Sequence, residues 1–450
     1  MRNLVALLLI VTLAACDSDS GISGPGPGGE TGSCSIDGQK QFVLDNLYAW
    51  YLWNDLLPAN LSINDYASPE ELVAQVTTTY GPQDADGNPV DLFSSVGSLQ
   101  ADVEFFGEGR FEGFGFSWRF ADPASTEFRI TRVFSGSPAA NGGLGRGQRL
   151  LSLNGRTIEE IEAAEGVGAV FGNNDTLTFQ MERVDTTVFS VSITKDIVTI
   201  DPVPQWRLID QGPGVPPAGY LELSTFISTA DAELDTVFAE FRNANVTDVI
   251  LDLRYNGGGL VSTAELLGDF LGGDVAENLI FSRTEFNADR AAANNRTTFF
   301  ARLVNSINLD QLVVIATRGT ASASELVTNG LIPHATVTIV GDNTFGKPVG
   351  QIGLDFCEKI LRPTSFRLAN ADGDGDYFDG LPVDCPANDE LSIPIGDDLD
   401  PNMIAAMSFL NTGACPVVAL PGGQFKPQGA AQERRPSVTG KPERDIAGAF

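Results

Sequence analysis

The chain has 450 residues and a formal net charge of -31, from 28 Lys and Arg against 59 Asp and Glu. That balance excludes nucleic acid and anionic membrane surfaces as charge-driven partners, because both are held by clustered basic side chains. A hydrophobic fraction of 42% and a charged fraction of 19% belong to a globular protein with room for two or three cores.

The N-terminus reads as an export signal: Arg2, an apolar run from Leu4 to Leu13, then Ala14, Ala15 and Cys16. The run is too short to span a bilayer as a helix. Leu13-Ala14-Ala15-Cys16 resembles the bacterial lipobox. That resemblance implies a signal peptide over 1–15, diacylglycerol on the Cys16 sulfur, and a protein of the bacterial cell envelope, lipid-anchored to a membrane and facing the periplasm. Residues 16–33 are rich in Gly, Pro and Ser and fit a flexible tether. Asp17 after the lipidated cysteine is, in enterobacterial lipoproteins, a signal for the inner membrane.

Cys34, Cys357, Cys385 and Cys415 remain. In an exported chain they imply two disulfides, with three possible pairings. The expected pairing is Cys357–Cys385, closing a loop within one segment, and Cys34–Cys415, tying the chain ends. No Cys-x-x-Cys pair is present and His334 is the sole imidazole, so no metal site is expected, and no cofactor either.

Residues 34–107 carry helical patterning. Phe42, Leu44, Leu47, Trp50, Tyr51 and Trp53 make a broad apolar face, and Pro69 opens a second helix. From 108 to 197 the pattern changes to short alternating strands with glycine turns. Gly136-Ser137-Pro138-Ala139-Ala140, Leu144, and Gly147 through Asn154-Gly155 resemble, in order and content, the core of a PDZ domain. By that resemblance Gly113, Phe114, Gly115 and Phe116 form the turn whose backbone N–H groups hold a peptide's terminal carboxylate, and the next strand pairs with the peptide. Over 198–415 strands and helices alternate. Val249 to Leu253 and Leu312 to Ala316 are continuous apolar runs of buried strands, and Asp231 is placed to cap a helix bearing Leu234, Val237, Phe238 and Phe241. The last segment, 416–450, has the composition of a disordered tail.

Three motifs carry the chemistry. Asp252-Leu253-Arg254-Tyr255-Asn256-Gly257-Gly258-Gly259 is a strand followed by a glycine turn. Ser322-Ala323-Ser324-Glu325 opens a helix. Phe345-Gly346-Lys347 is followed by Gln351, with 25 residues from Ser322 to Lys347 and four from Lys347 to Gln351. Together with the preceding domains they resemble the C-terminal-processing peptidases, or tail-specific proteases, over most of the mature chain. The resemblance implies an α/β peptidase core of crotonase/ClpP-like ββα units with a PDZ domain and a small helical N-terminal domain. It implies a serine endopeptidase with a Ser322–Lys347 dyad oriented by Gln351, engaging protein substrates through free C-termini.

The residues support that chemistry individually. A serine hydroxyl is a weak nucleophile without a base, and with one histidine in the chain a lysine is the available substitute. The base must be a neutral amine, which apolar surroundings such as Phe345 and Val349 favour. At a helix N-terminus the Ala323 N–H is placed to meet an oxyanion, with a second donor from Gly257 or Gly258. Ser324 lies one step into the helix and is expected to cap or pack. His334 is expected at the surface or at a helix cap. Pro348 removes an N–H beside the lysine, which an edge strand tolerates. Asn370-Ala371-Asp372-Gly373-Asp374-Gly375-Asp376 begins like a calcium loop but has Leu381 where the twelfth-position glutamate belongs, so it reads as an acidic turn. The substrate termini are expected to be apolar, since the chain's own charge repels acidic tails. Two rivals stand beside this reading: a catalytically silent PDZ scaffold or chaperone at the membrane, and an esterase on the same core.

Overall fold

The computed structural model describes residues 33–122, 126–419 and 425–427. It opens with helices Ile36–Trp50 and Pro69–Tyr80. Each begins where a serine hydroxyl accepts an N–H of the first turn, Ser35 from Gly38 and Ser68 from Glu71. Their apolar faces, including Val43, Leu47, Leu72 and Val76, close no core of their own. They join one continuous cluster with Leu221, Leu251 and Phe238 of the large domain. The strand Ser95–Ser98 fastens the segment further, pairing antiparallel with Lys359–Arg362.

Helix Leu99–Glu108 leads into Arg110–Gly113, which pairs antiparallel with Asp196–Thr199. This two-stranded ribbon carries both ends of an antiparallel sheet whose strand order is Phe116–Phe120, Phe128–Val133, Arg149–Leu153, Thr176–Glu182, Val188–Thr194. Burial alternates along Thr176–Glu182, so one face is wet and the other holds a core separate from the first. Phe116–Phe120 is an edge strand, and Phe171 of helix Val167–Asn173 packs against Phe114 and Phe116 with ring centroids 5.9 and 5.6 Å apart. An open edge beside a helix is the arrangement a PDZ domain requires.

The large domain is a six-stranded sheet in the order Gln205–Ile209, Ala218–Glu222, Asp248–Asp252, Gln311–Ala316, Thr336–Gly341, Cys385–Pro386. The first pair is antiparallel and the rest parallel. Its central strands are apolar at successive positions because both faces are covered. Val249, Leu251 and Val314 meet helices Ala230–Asn243, Val261–Gly272 and Ala323–Leu331, while Ile250, Val313 and Ile315 meet helix Pro401–Thr412. A second sheet, Arg296–Phe299, Ile280–Phe286, Thr364–Ala369, Val349–Gln351, lies beyond those helices and ends at an edge strand just after Pro348.

The disulfides are Cys34–Cys357 and Cys385–Cys415, which corrects the expected Cys357–Cys385 and Cys34–Cys415. The reason is packing at long range. Phe42 of the first helix stacks on Phe356 at 4.6 Å, which brings Cys34 to the hairpin turn holding Cys357. Cys385 starts the last strand of the large sheet, under helix Pro401–Thr412, and Cys415 follows that helix back. Thr229, not Asp231, is the cap residue of helix Ala230–Asn243; Asp231 lies in its first turn and accepts from the Thr263 hydroxyl at 2.9 Å. Cys16, the expected signal peptide, most of the expected tether and nearly all of the expected tail lie outside the described residues.

Candidate active site

Ser322 caps helix Ala323–Leu331 at φ 54° and ψ -113°, a backbone region that costs a side-chain-bearing residue about 1–3 kcal/mol. Several bonds over-determine it. The Ser322 N–H donates to Glu325 Oε2 at 2.9 Å, its carbonyl accepts from Leu326 N at 2.8 Å, and the Ala321 N–H donates to Asn256 O at 3.0 Å. The fully buried Ser324 hydroxyl donates to the same Asn256 carbonyl at 2.9 Å, so it packs the helix onto the glycine turn.

That turn is built from Asn256. Its Nδ2 donates to Leu223 O at 2.8 Å and its Oδ1 accepts from Gly258 N at 2.9 Å. A Cβ on Gly258, at φ 108°, would stand 2.7 Å from Ser322 Cβ and 2.9 Å from Ala323 N. Only glycine fits there. The Gly258 N–H is therefore occupied by Asn256 within the turn, although the residue touches Ser322. Gly259, the last glycine of the motif and given no role from sequence, lines the cleft with Ser322. The N–H of Ala323 is the first of its helix and has no carbonyl one turn back to bond.

Lys347 is 3% exposed and lines the same open cleft as Ser322 and Gln351. Its Nζ donates to Gln351 Oε1 at 3.2 Å and sits 4.9 Å from the centre of the Phe93 ring. Gln351 cannot turn round, because its Nε2 donates to Phe93 O at 2.7 Å and Arg362 O at 2.9 Å. The cleft wall is completed by Ser95, Phe106, Leu260, Val261 and Arg362. Arg362 is held by Asp102 through two bonds of 2.7 and 2.6 Å.

Glu325 is the largest omission from the sequence reading of function. Wholly buried, it accepts from Thr344 Oγ1 at 2.5 Å and Gly346 N at 2.7 Å on one oxygen, and from Lys347 N at 2.8 Å and Ser322 N on the other. One carboxyl group thus binds the main chains of Ser322 and Lys347 together. Burial pushes its pKa up, and these four donors pull it down. The Ser-x-x-Glu pattern from 322 to 325 is the signal that marks it, since it is the capping-box spacing.

Behind the turn lies a buried charge cluster. Arg254 is enclosed by Asp252, Asp389 and Asp400 at 2.6, 3.5 and 2.7 Å. Arg146 of the smaller β-domain reaches across to Asp389 at 2.7 Å and to the Tyr255 hydroxyl at 3.0 Å. Tyr255 also bonds Asp389. Despite burial, Arg146, Arg254 and Arg119 hold the Asp389 carboxyl down to about 2. The remaining candidates lie elsewhere. His334 is half-buried, its Nε2 within 2.8 Å of Ile280 O and its ring against Phe300. In the acidic turn, Asn370 Oδ1 accepts from Asp372 N and Asp374 N, both at 3.0 Å, and no metal-holding group of acidic, His and Cys side chains occurs among the described residues. Gly113 ends one ribbon strand, Phe116 starts the edge strand, and between them the Gly115 carbonyl accepts from Phe134 N at 3.0 Å and Ser137 Oγ at 3.0 Å.

Comparison with known proteins matches this architecture segment by segment. The model for the peptidase S41 N-terminal domain matches residues 38–111, that for the PDZ domain 102–182, and that for peptidase family S41 217–381. Carboxyl-terminal-processing peptidase 3 of Arabidopsis thaliana chloroplasts is 26% identical over 53% of this chain and 46% of its own. The carboxy-terminal processing protease CtpA of Bacillus subtilis is 23% identical over 60% of this chain and 55% of its own. The chain thus aligns with about half the length of these relatives. Among solved structures, a Bacteroides fragilis chain described as an S41 protease superposes with a TM-score of 0.62 at 22% identity, covering 83% of this chain and 97% of that one. The photosystem II D1 C-terminal processing protease gives 0.51 at 19% identity, covering 85% and 98%; at these identities both speak for the fold. The chain belongs to peptidase family S41, with the PDZ and N-terminal domains that accompany the peptidase domain in this molecule.

Proposed function

We propose that the protein is a serine endopeptidase in which Ser322 is the nucleophile, Lys347 the base and Gln351 the group that orients the base. One observation carries the reading: Ser322, strained at a helix N-terminus, shares a cleft with a buried lysine whose Nζ is bonded to a glutamine that cannot turn. In this reading the neutral amine, with one N–H given to Gln351 Oε1, presents its lone pair to the Ser322 hydroxyl. Lys347 takes the Ser322 Oγ proton as Oγ attacks the scissile carbonyl. The oxyanion meets Ala323 N–H and a second N–H of the glycine turn, from Gly257 or Gly259, since the Gly258 N–H is given to Asn256 Oδ1. The lysine ammonium then protonates the departing amine. Water, deprotonated by Lys347 in turn, hydrolyses the acyl-serine ester.

In this reading the PDZ turn Gly113–Phe116 holds the free, apolar C-terminus of a protein substrate, and the edge strand Phe116–Phe120 pairs with it. Cys16 anchors the protein to an envelope membrane. The test is turnover of an unfolded protein with an apolar C-terminus by wild type, Ser322→Ala and Lys347→Arg. Both variants are expected to be inactive and folded, since arginine cannot give up its proton. Activity retained in Lys347→Arg overturns the dyad.

A further inference from the structure

We infer that Phe93, delivered by the N-terminal helical segment, is a positioning residue for the Lys347–Gln351 pair, so that the peptidase site is complete only with that segment in place. The inference rests on the dyad reading above and deepens it.

Phe93 meets the pair in two independent ways. Its carbonyl accepts from Gln351 Nε2 at 2.7 Å, and its ring centre lies 4.9 Å from Lys347 Nζ. The carbonyl decides which end of the amide faces the lysine. With Nε2 drawn to Phe93 O and Arg362 O, only Oε1 remains for Nζ. Were the amide reversed, an NH2 group would meet the amine and two carbonyls would meet an oxygen, losing three bonds together. The ring lies against Nζ as an apolar wall; it is 2% exposed and packs edge-on against Phe345 with centroids 6.1 Å apart. Phe93, Phe345, Val349 and Ala321 form a small apolar cluster of their own, backed by Leu52 and Trp53. Two of those elements flank Lys347 in sequence, one precedes Ser322, and the rest come from the N-terminal segment.

The placement of Phe93 is itself built. Asp91, 1% exposed, takes Phe93 N at 2.9 Å and Ser94 N at 3.1 Å on one oxygen, and the Ser94 hydroxyl at 2.5 Å on the other. The Thr364 hydroxyl adds a bond of 2.9 Å to Asp91, and Thr364 N donates to Ser94 Oγ at 2.9 Å. Thr364 begins the strand that pairs with Val349–Gln351, opposite Gln351. The N-terminal segment is thus locked to the strand paired with the one that carries the glutamine, and from it Phe93 reaches the lysine.

The experiment compares wild type, Phe93→Leu and Ser322→Ala on an internally quenched fluorogenic peptide with a free, apolar C-terminus, together with the rate at which a fluorophosphonate labels Ser322. Phe93→Leu keeps the backbone carbonyl and an apolar side chain but removes the ring. A positioning role predicts a ten-fold or greater fall in kcat and in the labelling rate, with KM within two-fold of wild type and thermal melting still cooperative. A role in packing alone leaves kcat and labelling within two-fold and lowers only the melting temperature, which overturns the inference. If the leucine variant does not fold, Phe93→Met, flexible and near the volume of phenylalanine, carries the same comparison. Ser322→Ala separates the two levels. Wild-type kcat in Phe93→Leu beside a dead Ser322→Ala overturns the inference alone, whereas turnover by Ser322→Ala overturns the dyad and the inference with it.

Discussion

Replacing Glu325 by glutamine tests the clamp that joins the two halves of the site. The carboxylate receives four donors and no cation, two on each oxygen. An amide of the same shape offers one accepting oxygen and places hydrogens where the other stood. If the new NH2 faces Ser322 N and Lys347 N, both backbone donors are orphaned. If it faces Thr344 and Gly346, the threonine hydroxyl can turn to accept and only Gly346 N is lost. A buried donor left unpaired costs about 1–3 kcal/mol, so one or two of them amount to on the order of 2–4 kcal/mol. The same bonds set the spacing of Ser322 and Lys347, and a shift of about 1 Å there costs on the order of a hundred-fold in rate. Glu325→Gln is therefore expected to lower the urea midpoint and to reduce kcat far more than its loss of folded fraction explains. Urea unfolding followed by fluorescence, and initial rates on the fluorogenic peptide, read the two effects separately. A variant with wild-type midpoint and wild-type kcat refutes the clamp.

The Asp389 carboxyl is held at about 2 in the fold by its arginines, below its ordinary value in an unfolded chain. Its stabilisation, on the order of 2 kcal/mol, is present above about pH 4 and is lost as pH falls toward 2. Urea midpoints of wild type and Asp389→Asn should converge over that interval, and a constant gap contradicts the assignment. Cys34–Cys357 closes a loop of 323 residues and Cys385–Cys415 one of 30, so in the chain-entropy account Cys34→Ser costs about 2 kcal/mol more than Cys415→Ser, read as the larger fall in melting temperature. Cys16→Ser should move the protein from the membrane pellet to the soluble fraction with peptidase activity intact; continued pelleting after a high-salt wash removes the lipid anchor. Amidating the C-terminus of a long peptide substrate should slow its cleavage severalfold at subsaturating concentration, and equal rates for acid and amide dispose of carboxylate capture.

The fold was legible wherever local pattern and tertiary packing agree. Val249–Leu253 and Leu312–Ala316 read as buried strands because both sheet faces are covered, and those are the central strands of the large sheet. Lys347 and Gln351, four residues apart and expected on one face, do meet, in a strand whose pairing shifts register between Gly350 and Gln351. The disulfide pairing was not legible, because Cys34 finds Cys357 through a stack of Phe42 on Phe356 across more than three hundred residues. Phe93 was equally silent: nothing in Asp91-Leu92-Phe93-Ser94-Ser95 announces a partner at 347 or 351. Glu325 lay in plain view within a quoted motif, but its four bonds depend on how the chain returns at Thr344 to Lys347.

The buried charges behind the glycine turn follow from what the turn must withstand. Tyr255 at φ 61°, Gly258 at 108°, Gly259 at 137° and Ser322 at 54° place four strained or glycine-only conformations within one contact region. Such strain persists only where the surroundings leave the backbone no alternative. Apolar packing supplies little direction, whereas an arginine fork between carboxylates fixes both distance and angle. Arg254 binds Asp252 at the end of its strand and Asp400 at the start of a helix, and Asp389 adds Arg146 and the Tyr255 hydroxyl. Removing one member leaves the others buried and uncompensated, a loss of about 3–5 kcal/mol, so the cluster holds the turn more firmly than its net contribution to stability suggests. Because Arg146 belongs to the PDZ domain, the same cluster joins the position of that domain to the backbone lying against Ser322. Any movement of the PDZ domain that withdraws Arg146 takes a cation from Asp389 and a partner from Tyr255, two residues from Gly257.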